Sequence, residues 1–305
     1  MASPAELRSI VVYGAGTMGA GIAQTFAMHG YQVTLVDIKE EFLKRGLAGV
    51  AKSLDRIART KDAKGDELAR SKYVSDVMAR ISTSLDARAA AAKADLAIES
   101  IIENLEVKQD LFKLIDSAAS PHTIIVSNTS MLPIGMIAEK VSESRLERVA
   151  GFHFSNPVPL MKLVEVVRAE KSSPKVIELL RKVAVSIGKV PVVCADKPGF
   201  ILNRLLGPYI YHAFQMYERG DATPYDIDTA MKLGANYPMG PFEFADLVGL
   251  DVIKFVMAAA SAASAADEDL EPTKLEELIK SGNLGRKTGK GFYDYTVGKT
   301  PKPRL

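Results

Sequence analysis

The amino-acid sequence predicts an α/β protein in which a doubly wound, mostly parallel sheet with a helical hairpin insertion precedes an all-helical C-terminal domain. Short apolar runs alternate with helical patterns over the first two thirds of the chain, which is typical of a parallel sheet covered by helices on both faces. A glycine-rich turn follows the first apolar run, and beyond residue 197 only helical patterns remain. We therefore divide the chain into domains at residues 1–197 and 198–305.

The first strand and the first helix are joined by a glycine motif of the form G-x-G-x-x-G. A buried run at residues 10–13 precedes the motif, and a helical pattern follows it over residues 20–30. Gly14 permits a tight turn, Gly16 lets the backbone approach a pyrophosphate, and Gly19 lets helix and strand pack closely. The motif and the free N–H groups at the helix start predict a diphosphate site formed by Gly14, Gly16, Thr17, Met18 and Gly19.

The second strand, at residues 31–37, ends in the carboxylate of Asp37, eighteen residues after Gly19. A carboxylate in this position can accept hydrogen bonds from an adenine ribose and would repel the 2′-phosphate of NADP. Strand, glycines, helix, strand and terminal aspartate together predict that the chain binds a dinucleotide, and Asp37 predicts NAD in preference to NADP.

A long charged helical stretch follows Asp37 in place of a short crossover. Gly65 interrupts the pattern, and residues 66–78 predict a second helix that returns to the sheet. The hairpin is either a solvated amphipathic element or a basic surface for a second polyphosphate ligand. Between residues 44 and 64 its basic residues are Lys44, Arg45, Lys52, Arg56, Arg59, Lys61 and Lys64.

Strands are next predicted at residues 81–84, 95–99 and 123–127, with helices from about Leu85 and Leu105 between them. Ligands of such sheets bind at the carboxyl ends of the strands. The polar side chains just beyond these ends are Glu99, Glu103, Ser127, Asn128 and Ser130. The residues at 128–130 have an alternative and compatible role as caps of a helix that begins near Pro133.

The next two apolar runs contain a histidine and a carboxylate. Residues 148–153 end in His153, residues 162–167 contain Glu165, and a Pro-Val-Pro turn joins these two predicted strands. Neighbouring strands joined in this way bring the two side chains together at an end of the sheet. The carboxylate would fix the imidazole tautomer and stabilise the imidazolium, so that His153 becomes a general acid/base near neutral pH. The alternative is a purely structural hydrogen bond.

After a helix at about residues 174–187, a last strand ends at Cys194, and the turn-rich residues 196–199 mark the domain boundary. The helices predicted beyond it span residues 200–219, 225–233, 241 to about 265, and 273–280. The apolar flank of the first of these suits either an intradomain core or self-association.

The composition excludes several classes of protein. The net charge of +2 argues against nucleic-acid binding, and no apolar run approaches the length of a membrane span. The single cysteine, Cys194, excludes an intramolecular disulfide and a multi-thiolate metal site, and no cluster with metal-ligand spacing occurs. Only nine residues precede the first strand, too few for a targeting peptide, so we expect a cytoplasmic enzyme.

Five blocks of the sequence resemble the L-3-hydroxyacyl-CoA dehydrogenases, which include the 3-hydroxybutyryl-CoA dehydrogenases. The blocks occur in the same order over nearly the whole chain, at residues 14–24, 127–130, 153–165, 197–206 and 237–243. The resemblance implies a Rossmann-type NAD domain, a dimer formed through the C-terminal helices, and reversible oxidation of (S)-3-hydroxyacyl-CoA to 3-oxoacyl-CoA.

The resemblance also implies a role for individual residues. His153 becomes the acid/base and Glu165 its orienting partner, and Ser130 and Asn203 become the polar groups around the substrate oxygen and the histidine. On the cofactor side it adds Glu103, Lys108, Ser130 and Lys287 to Asp37 and the glycine motif. On the hairpin it implies that Ser53 contacts CoA and that Lys61 or Arg59 replaces a CoA-contacting lysine of relatives, which aligns near Thr60.

Two residues depart from the pattern of the family. Ser155 stands where relatives usually have a second aromatic residue, and Met131 follows Ser130 where small residues are common, so both bear on acyl-chain preference. The alternative functions are a related dehydrogenase of a sugar acid such as gulonate, a non-catalytic dinucleotide-binding protein, and one subunit of a larger fatty-acid oxidation complex.

Overall fold

The computed structural model describes residues 7–61, 66–254, 273–296 and 302–303. The chain divides into two compact units, Met1–Phe200 and Ile201–Leu305, close to the predicted boundary at residue 197. Within the described residues, no helix combines the length and the apolar character that crossing a membrane requires.

An eight-stranded sheet forms the centre of the first unit. Its strands are β1 (Ser9–Tyr13), β2 (Gln32–Val36), β3 (Ile81–Ser84), β4 (Leu96–Glu99), β5 (Ile124–Ser127), β6 (Val149–Phe154), β7 (Leu163–Arg168) and β8 (Val190–Ala195). They lie in the order β3-β2-β1-β4-β5-β6-β7-β8. Every neighbouring pair is parallel except β6 and β7, which are antiparallel. The predicted mostly parallel, doubly wound sheet is confirmed, and the chain reverses its direction of winding between β1 and β4.

Helices cover both faces of this sheet. They are α1 (Thr17–Met28), α2 (Glu40–Lys61), α3 (Glu67–Met78), α4 (Ala87–Ala91), α5 (Leu105–Ala118), α6 (Ile134–Ile137) and α7 (Pro174–Ser186). The predicted hairpin is confirmed as α2 packed against α3. Its turn, including Gly65, lies outside the described residues, and α3 begins where the Asp66 side chain accepts the amide of Ala69.

Strand β1 shows how the period-2 pattern of a strand builds two cores. Ile10 and Val12 belong to the apolar cluster on one face of the sheet, and Val11 and Tyr13 belong to the cluster on the other. All four side chains are buried, because helices cover both faces.

In its described residues the second unit is mainly helical, as predicted, and contains one short strand pair. Its helices are α8 (Leu202–Arg219), α9 (Pro224–Gly234), α10 (Pro241–Val248) and α11 (Thr273–Lys280), and the strands Tyr293–Asp294 and Lys302–Pro303 pair antiparallel. Phe214, Phe242 and Phe292 pack together in its core with ring centroids 4.8 to 5.1 Å apart, and the Phe292 ring meets the other two edge to face.

The prediction of a single long helix from residue 241 to about 265 was wrong in part. Helix α10 ends at Val248 because Gly249 adopts a φ of 108°, a conformation that residues with a side chain rarely take. Residues 250–254 are helical again, and the rest of the predicted span lies outside the described residues.

Candidate active site

The three motif glycines have different surroundings between β1 and α1. Gly14 has a φ of 102°, and a side chain there would collide with the carbonyl of Ser100. A side chain at Gly19 would collide with the carbonyl of Gly14, whereas one at Gly16 would meet no atom within 4 Å. The fold itself therefore requires Gly14 and Gly19, and Gly16 leaves open space in which a pyrophosphate fits.

The start of α1 is suited to an anion. The helix begins at Thr17 with Gly16 as its N-cap, no side chain caps it, and no acidic residue lies in its first turn. The Asp37 carboxylate, just beyond β2, accepts the amide of Ala15 at 2.7 Å and so braces the glycine turn. These residues fit a dinucleotide whose diphosphate lies at the helix start and whose ribose lies beside Asp37.

Two exposed apolar side chains at the same edge of the sheet were not singled out from the sequence. Ile38 follows β2 and is 82% exposed, and Ile102 follows β4 and is 67% exposed. Exposed isoleucines beyond the carboxyl ends of parallel strands offer apolar surface to a planar base. Their position after the strand ends was the available signal.

A buried ionic network lies at the end of β4. The Glu99 carboxylate is fully buried and accepts hydrogen bonds from Lys108 Nζ at 2.5 Å, Ser127 Oγ at 2.5 Å and the Ile101 amide at 2.8 Å. Lys108 is 1% exposed and also pairs with Glu103 at 3.1 Å. The family resemblance implied that Lys108 contacts the cofactor. In the structure its ammonium is buried and pairs with the carboxylates of Glu99 and Glu103.

Glu103 connects this network to Ser130. Its Oε1 accepts the Thr129 hydroxyl and, at 3.3 Å, the Ser130 amide. Burial opposes ionisation of Glu103, but the Lys108 charge and the hydrogen bonds from Thr129, Lys108 and Ser130 lower the pKa of this carboxyl. An ionised Glu103 therefore holds the backbone of the serine loop.

The serine loop, residues 128–135, has a second anchor that the sequence did not reveal. Asp196 accepts the amides of Ile134 at 2.7 Å and Gly135 at 2.8 Å, and so caps α6. The capping role suggested for residues 128–130 was wrong, because Asp196 reaches α6 from the end of β8. Asn128 Oδ1 instead accepts the Phe154 amide at 2.8 Å.

The antiparallel pairing of β6 and β7 places His153 directly opposite Glu165. Glu165 Oε2 lies 2.7 Å from His153 Nδ1, and Ser130 Oγ lies 3.1 Å from His153 Nε2. Both members of the pair are buried, and the Phe200 ring packs 5.6 Å from the imidazole, centroid to centroid. Because Nδ1 faces the carboxylate, Nε2 is the ring nitrogen that can exchange a proton with a ligand bound beside the Ser130 hydroxyl.

A cavity of about 490 Å³ lies between the glycine turn, α1, α2 and residues 156–160. Arg45, Ser53 and Arg56 line it from α2, where their spacing puts them on one face of the helix. Lys52 is not among the lining residues, and Arg59 pairs with Asp55 at 2.9 Å. Lys61 is the last helical residue of α2, and its side chain lies outside the described part of the chain.

The remaining predicted site residues belong to the second unit. Asn203 lies in the first turn of α8, and Lys287 pairs with Asp251 at 2.5 Å.

In the first unit, burial and the nearby charges of Glu165 and Asp196 raise the pKa of the Cys194 thiol to about 11, which makes it a poor nucleophile. No group of three or more potential metal ligands occurs among the residues that the structure covers.

The chain matches two family models over nearly its whole length. Residues 9–197 match the NAD-binding domain of 3-hydroxyacyl-CoA dehydrogenase, and residues 199–295 match its C-terminal domain. The chain belongs to the 3-hydroxyacyl-CoA dehydrogenase family. The family, the enzyme class and the NAD cofactor predicted from the sequence are thereby confirmed.

Other members of the 3-hydroxyacyl-CoA dehydrogenase family are similar in sequence and in structure. The mitochondrial hydroxyacyl-coenzyme A dehydrogenase of Sus scrofa is 47% identical over 290 residues, which cover 95% of this chain and 91% of that protein. The (S)-3-hydroxybutyryl-CoA dehydrogenase of Ralstonia eutropha has a TM-score of 0.83 at 36% identity, covering 95% of this chain and 99% of its own. The 3-hydroxybutyryl-CoA dehydrogenase of Escherichia coli has a TM-score of 0.84 at 39% identity, with coverage of 96% of this chain and 61% of that longer chain.

Proposed function

We propose that this dehydrogenase interconverts (S)-3-hydroxyacyl-CoA and 3-oxoacyl-CoA, with His153 as the proton carrier. The observation that carries the proposal is the series of contacts from Glu165 to His153 Nδ1, at 2.7 Å, and from His153 Nε2 to the Ser130 hydroxyl, at 3.1 Å. Ser130 and His153 together offer two polar groups to one oxygen atom, as a substrate hydroxyl or carbonyl at C3 requires.

Each residue of the pair has a separate task. His153 Nε2 accepts the C3 hydroxyl proton in oxidation and returns it to the oxygen in reduction. Glu165 holds the imidazole in one orientation and stabilises the imidazolium that forms, and Ser130 hydrogen-bonds the same oxygen. Acid/base assistance of this kind contributes about 10²–10⁴-fold to the rate. Asn203 is proposed as a second polar group at the substrate oxygen.

The residues around the glycine turn hold the cofactor. The amides at the start of α1 bind the diphosphate, and Asp37 accepts hydrogen bonds from the adenine ribose. Ile38 and Ile102 supply apolar surface for the adenine. NAD supplies the hydride acceptor of the reaction when it is bound. Lys108 keeps Glu103 ionised beside this site, and Lys287 is proposed as a cofactor contact from the second unit.

The cavity beside α2 is proposed as the site of the CoA ester. Ser53 lines it, in agreement with the role implied for this residue, and Arg45 and Arg56 supply positive charge for phosphate groups. Arg56 takes the place of Arg59 in this proposal, because Arg59 is already paired with Asp55, and a CoA contact of Lys61 stays a prediction.

The experiment that tests the proposed function is a set of NAD- and NADP-linked rates for 3-hydroxyacyl-CoA esters of increasing chain length. We expect NADH formation with at least one (S)-ester and a large preference for NAD, because Asp37 repels a 2′-phosphate. Tight NAD binding without turnover of any ester would favour a non-catalytic NAD-binding protein instead. A homodimer is part of the proposal, and the cytoplasmic location stays a prediction.

A further inference from the structure

The loop of residues 155–162 connects the strand that carries His153 to the strand that carries Glu165. Five of its residues, at 156–160, form one wall of the cavity opposite α2. Within the loop, the amides of Leu160 and Met161 both donate to the carbonyl of Pro157 at 3.0 Å. The other backbone carbonyls of a packed loop need partners from elsewhere, because an unpaired buried carbonyl is costly.

Lys189 supplies such partners. It is 6% exposed, and its ammonium group donates to the carbonyl of Met161 at 2.7 Å and to the carbonyl of Val158. Burial lowers the pKa of this ammonium. Its own backbone is fixed by the turn between α7 and β8, where its amide donates to the Ala184 carbonyl at 2.9 Å. A cation held on a rigid turn thus bonds two points of the loop.

The loop is also held from its other side. Val158 is 2% exposed, and a Cβ added to Gly21 of α1 would lie 3.0 Å from the Val158 Cβ. The absence of a side chain at Gly21 therefore lets α1 and the loop pack closely. Val158 is the residue at which both restraints act, since its side chain packs on α1 and its carbonyl binds Lys189.

We propose that Lys189 is a positioning residue, whose buried ammonium holds the loop of residues 155–162 in place as a wall of the acyl-CoA cavity. This inference rests on the proposed function, because it takes the cavity to be the site of the CoA ester. The sheet pairing of β6 and β7, and not the loop, fixes His153 opposite Glu165. Loss of the ammonium should therefore weaken acyl-CoA binding more than it slows the chemical step.

The test is Lys189→Met, which keeps most of the apolar stem and removes the donors. We expect the KM for acyl-CoA to rise by about tenfold or more, the effect of losing one or two charged hydrogen bonds, while kcat and the KM for NAD change by less than about threefold. Lys189→Arg retains a cation and should give an intermediate KM. Lys182→Met is the matched control, because Lys182 is exposed on α7, and it should behave as wild type.

Each outcome decides the inference. A folded Lys189→Met protein with the wild-type KM for acyl-CoA overturns the inference. This holds even if the Tm of the variant is lower, because a lower Tm alone shows only that the lysine stabilises the fold. If both variants fail to fold, NMR of the wild-type Lys189 ammonium decides. Ammonium protons protected from exchange support its bonds to the loop, and exchange as fast as in an exposed lysine overturns the inference. A wild-type protein inactive on every 3-hydroxyacyl-CoA would overturn the proposed function, which is a separate result.

Discussion

At the scale of single residues, one imidazole meets a different partner at each of its ring nitrogens. Glu165 lies against Nδ1 of His153 and Ser130 lies against Nε2. The carboxylate is 1% exposed, so its charge acts on the imidazole through little intervening solvent. The contact at Nδ1 therefore orients the imidazole, and Nε2 remains for proton transfer. Substitutions of His153 and of Glu165 can test these two roles separately.

His153→Gln tests the proton carrier. Glutamine can hydrogen-bond in the same place but cannot accept and return a proton, so we expect kcat to fall by about 10²–10⁴-fold while NAD still binds. Steady-state rates per folded site and NAD titration measure the two effects. His122→Gln, at an exposed histidine, is the control and should retain wild-type kcat. Wild-type kcat in folded His153→Gln protein would refute the assignment.

Glu165→Gln tests the orienting carboxylate. It preserves shape but removes the negative charge that stabilises the imidazolium. We expect the pH–rate profile for reduction to shift to lower pH, because the protonated acid then survives over a narrower range. A lower Tm with an unchanged pH profile would make Glu165 a structural partner only.

At the scale of elements, α2 presents its basic side chains on more than one face. Arg45, Ser53 and Arg56 line the cavity, whereas Lys52 lies elsewhere on the helix and Arg59 pairs with Asp55. A helix has 3.6 residues per turn, so neighbouring basic residues in the sequence point in different directions. The CoA-binding charge of the hairpin therefore belongs to a subset of its basic residues.

Arg56→Glu tests this subset. Charge reversal in the cavity should raise the KM for acyl-CoA by about tenfold or more and leave the KM for NAD nearly unchanged, because Arg56 lines the cavity proposed for the CoA ester. Added salt should weaken acyl-CoA binding in the wild type. Lys52→Glu makes the same charge change outside the cavity lining and should alter the KM by less than about threefold. Equal effects of the two substitutions would contradict the assignment of CoA binding to the basic residues that line the cavity.

The start of α10 in the second unit depends on a buried carboxylate. Asp228 accepts the amides of Phe242 and Glu243, each at 2.9 Å, and the hydroxyl of Tyr293 at 2.6 Å. Burial raises the pKa of Asp228 to about 6, although these hydrogen bonds oppose the rise. The folded protein therefore binds this proton more tightly than the unfolded chain does.

The raised pKa of Asp228 predicts a direction for stability against pH. Its contribution is fully present below the unfolded-chain value of 3.8 and is lost as the pH rises through about 6. We expect the Tm of the wild type to fall more steeply between about pH 4 and pH 6 than that of Asp228→Asn, which has no proton to lose. Calorimetry over this range measures both slopes. Parallel curves for the two proteins would contradict the prediction.

At the scale of the whole molecule, the second unit exposes apolar side chains from three of its helices. Leu205 of α8, Leu233 of α9 and Leu247 of α10 are 69%, 82% and 49% exposed. Exposed apolar side chains that form one contiguous patch mark a surface that another chain covers. We therefore expect a homodimer through the C-terminal helices.

Sedimentation equilibrium measures this association. The wild type should have a mass of twice 33.0 kDa at micromolar concentration, and the double variant Leu205→Asp with Leu233→Asp should approach the monomer mass. Leu68→Asp, at an 81% exposed leucine of the first unit, is the matched control and should remain dimeric. A monomeric wild type would contradict the prediction, as would equal dissociation of the control.

The sequence by itself determined the features that depend on local patterns. Period-2 apolar runs and helical runs alternate, so the parallel sheet and its helices were predictable, as was the glycine turn between β1 and α1. His153 and Glu165 were predictable as neighbours because one short turn joins their strands. Each of these features depends on residues close together in the chain.

Only the tertiary structure decided the features that join distant residues. It placed Lys108 between Glu99 and Glu103, it brought Asp196 to α6, and it set the Lys189 ammonium against the loop after β6. Long side chains reach partners that no spacing in the sequence specifies, because the partner is set by which strands lie side by side. The same reason explains why Arg56 and not Arg59 lines the cavity, because the elements that pack around α2 determine which of its faces borders the cavity.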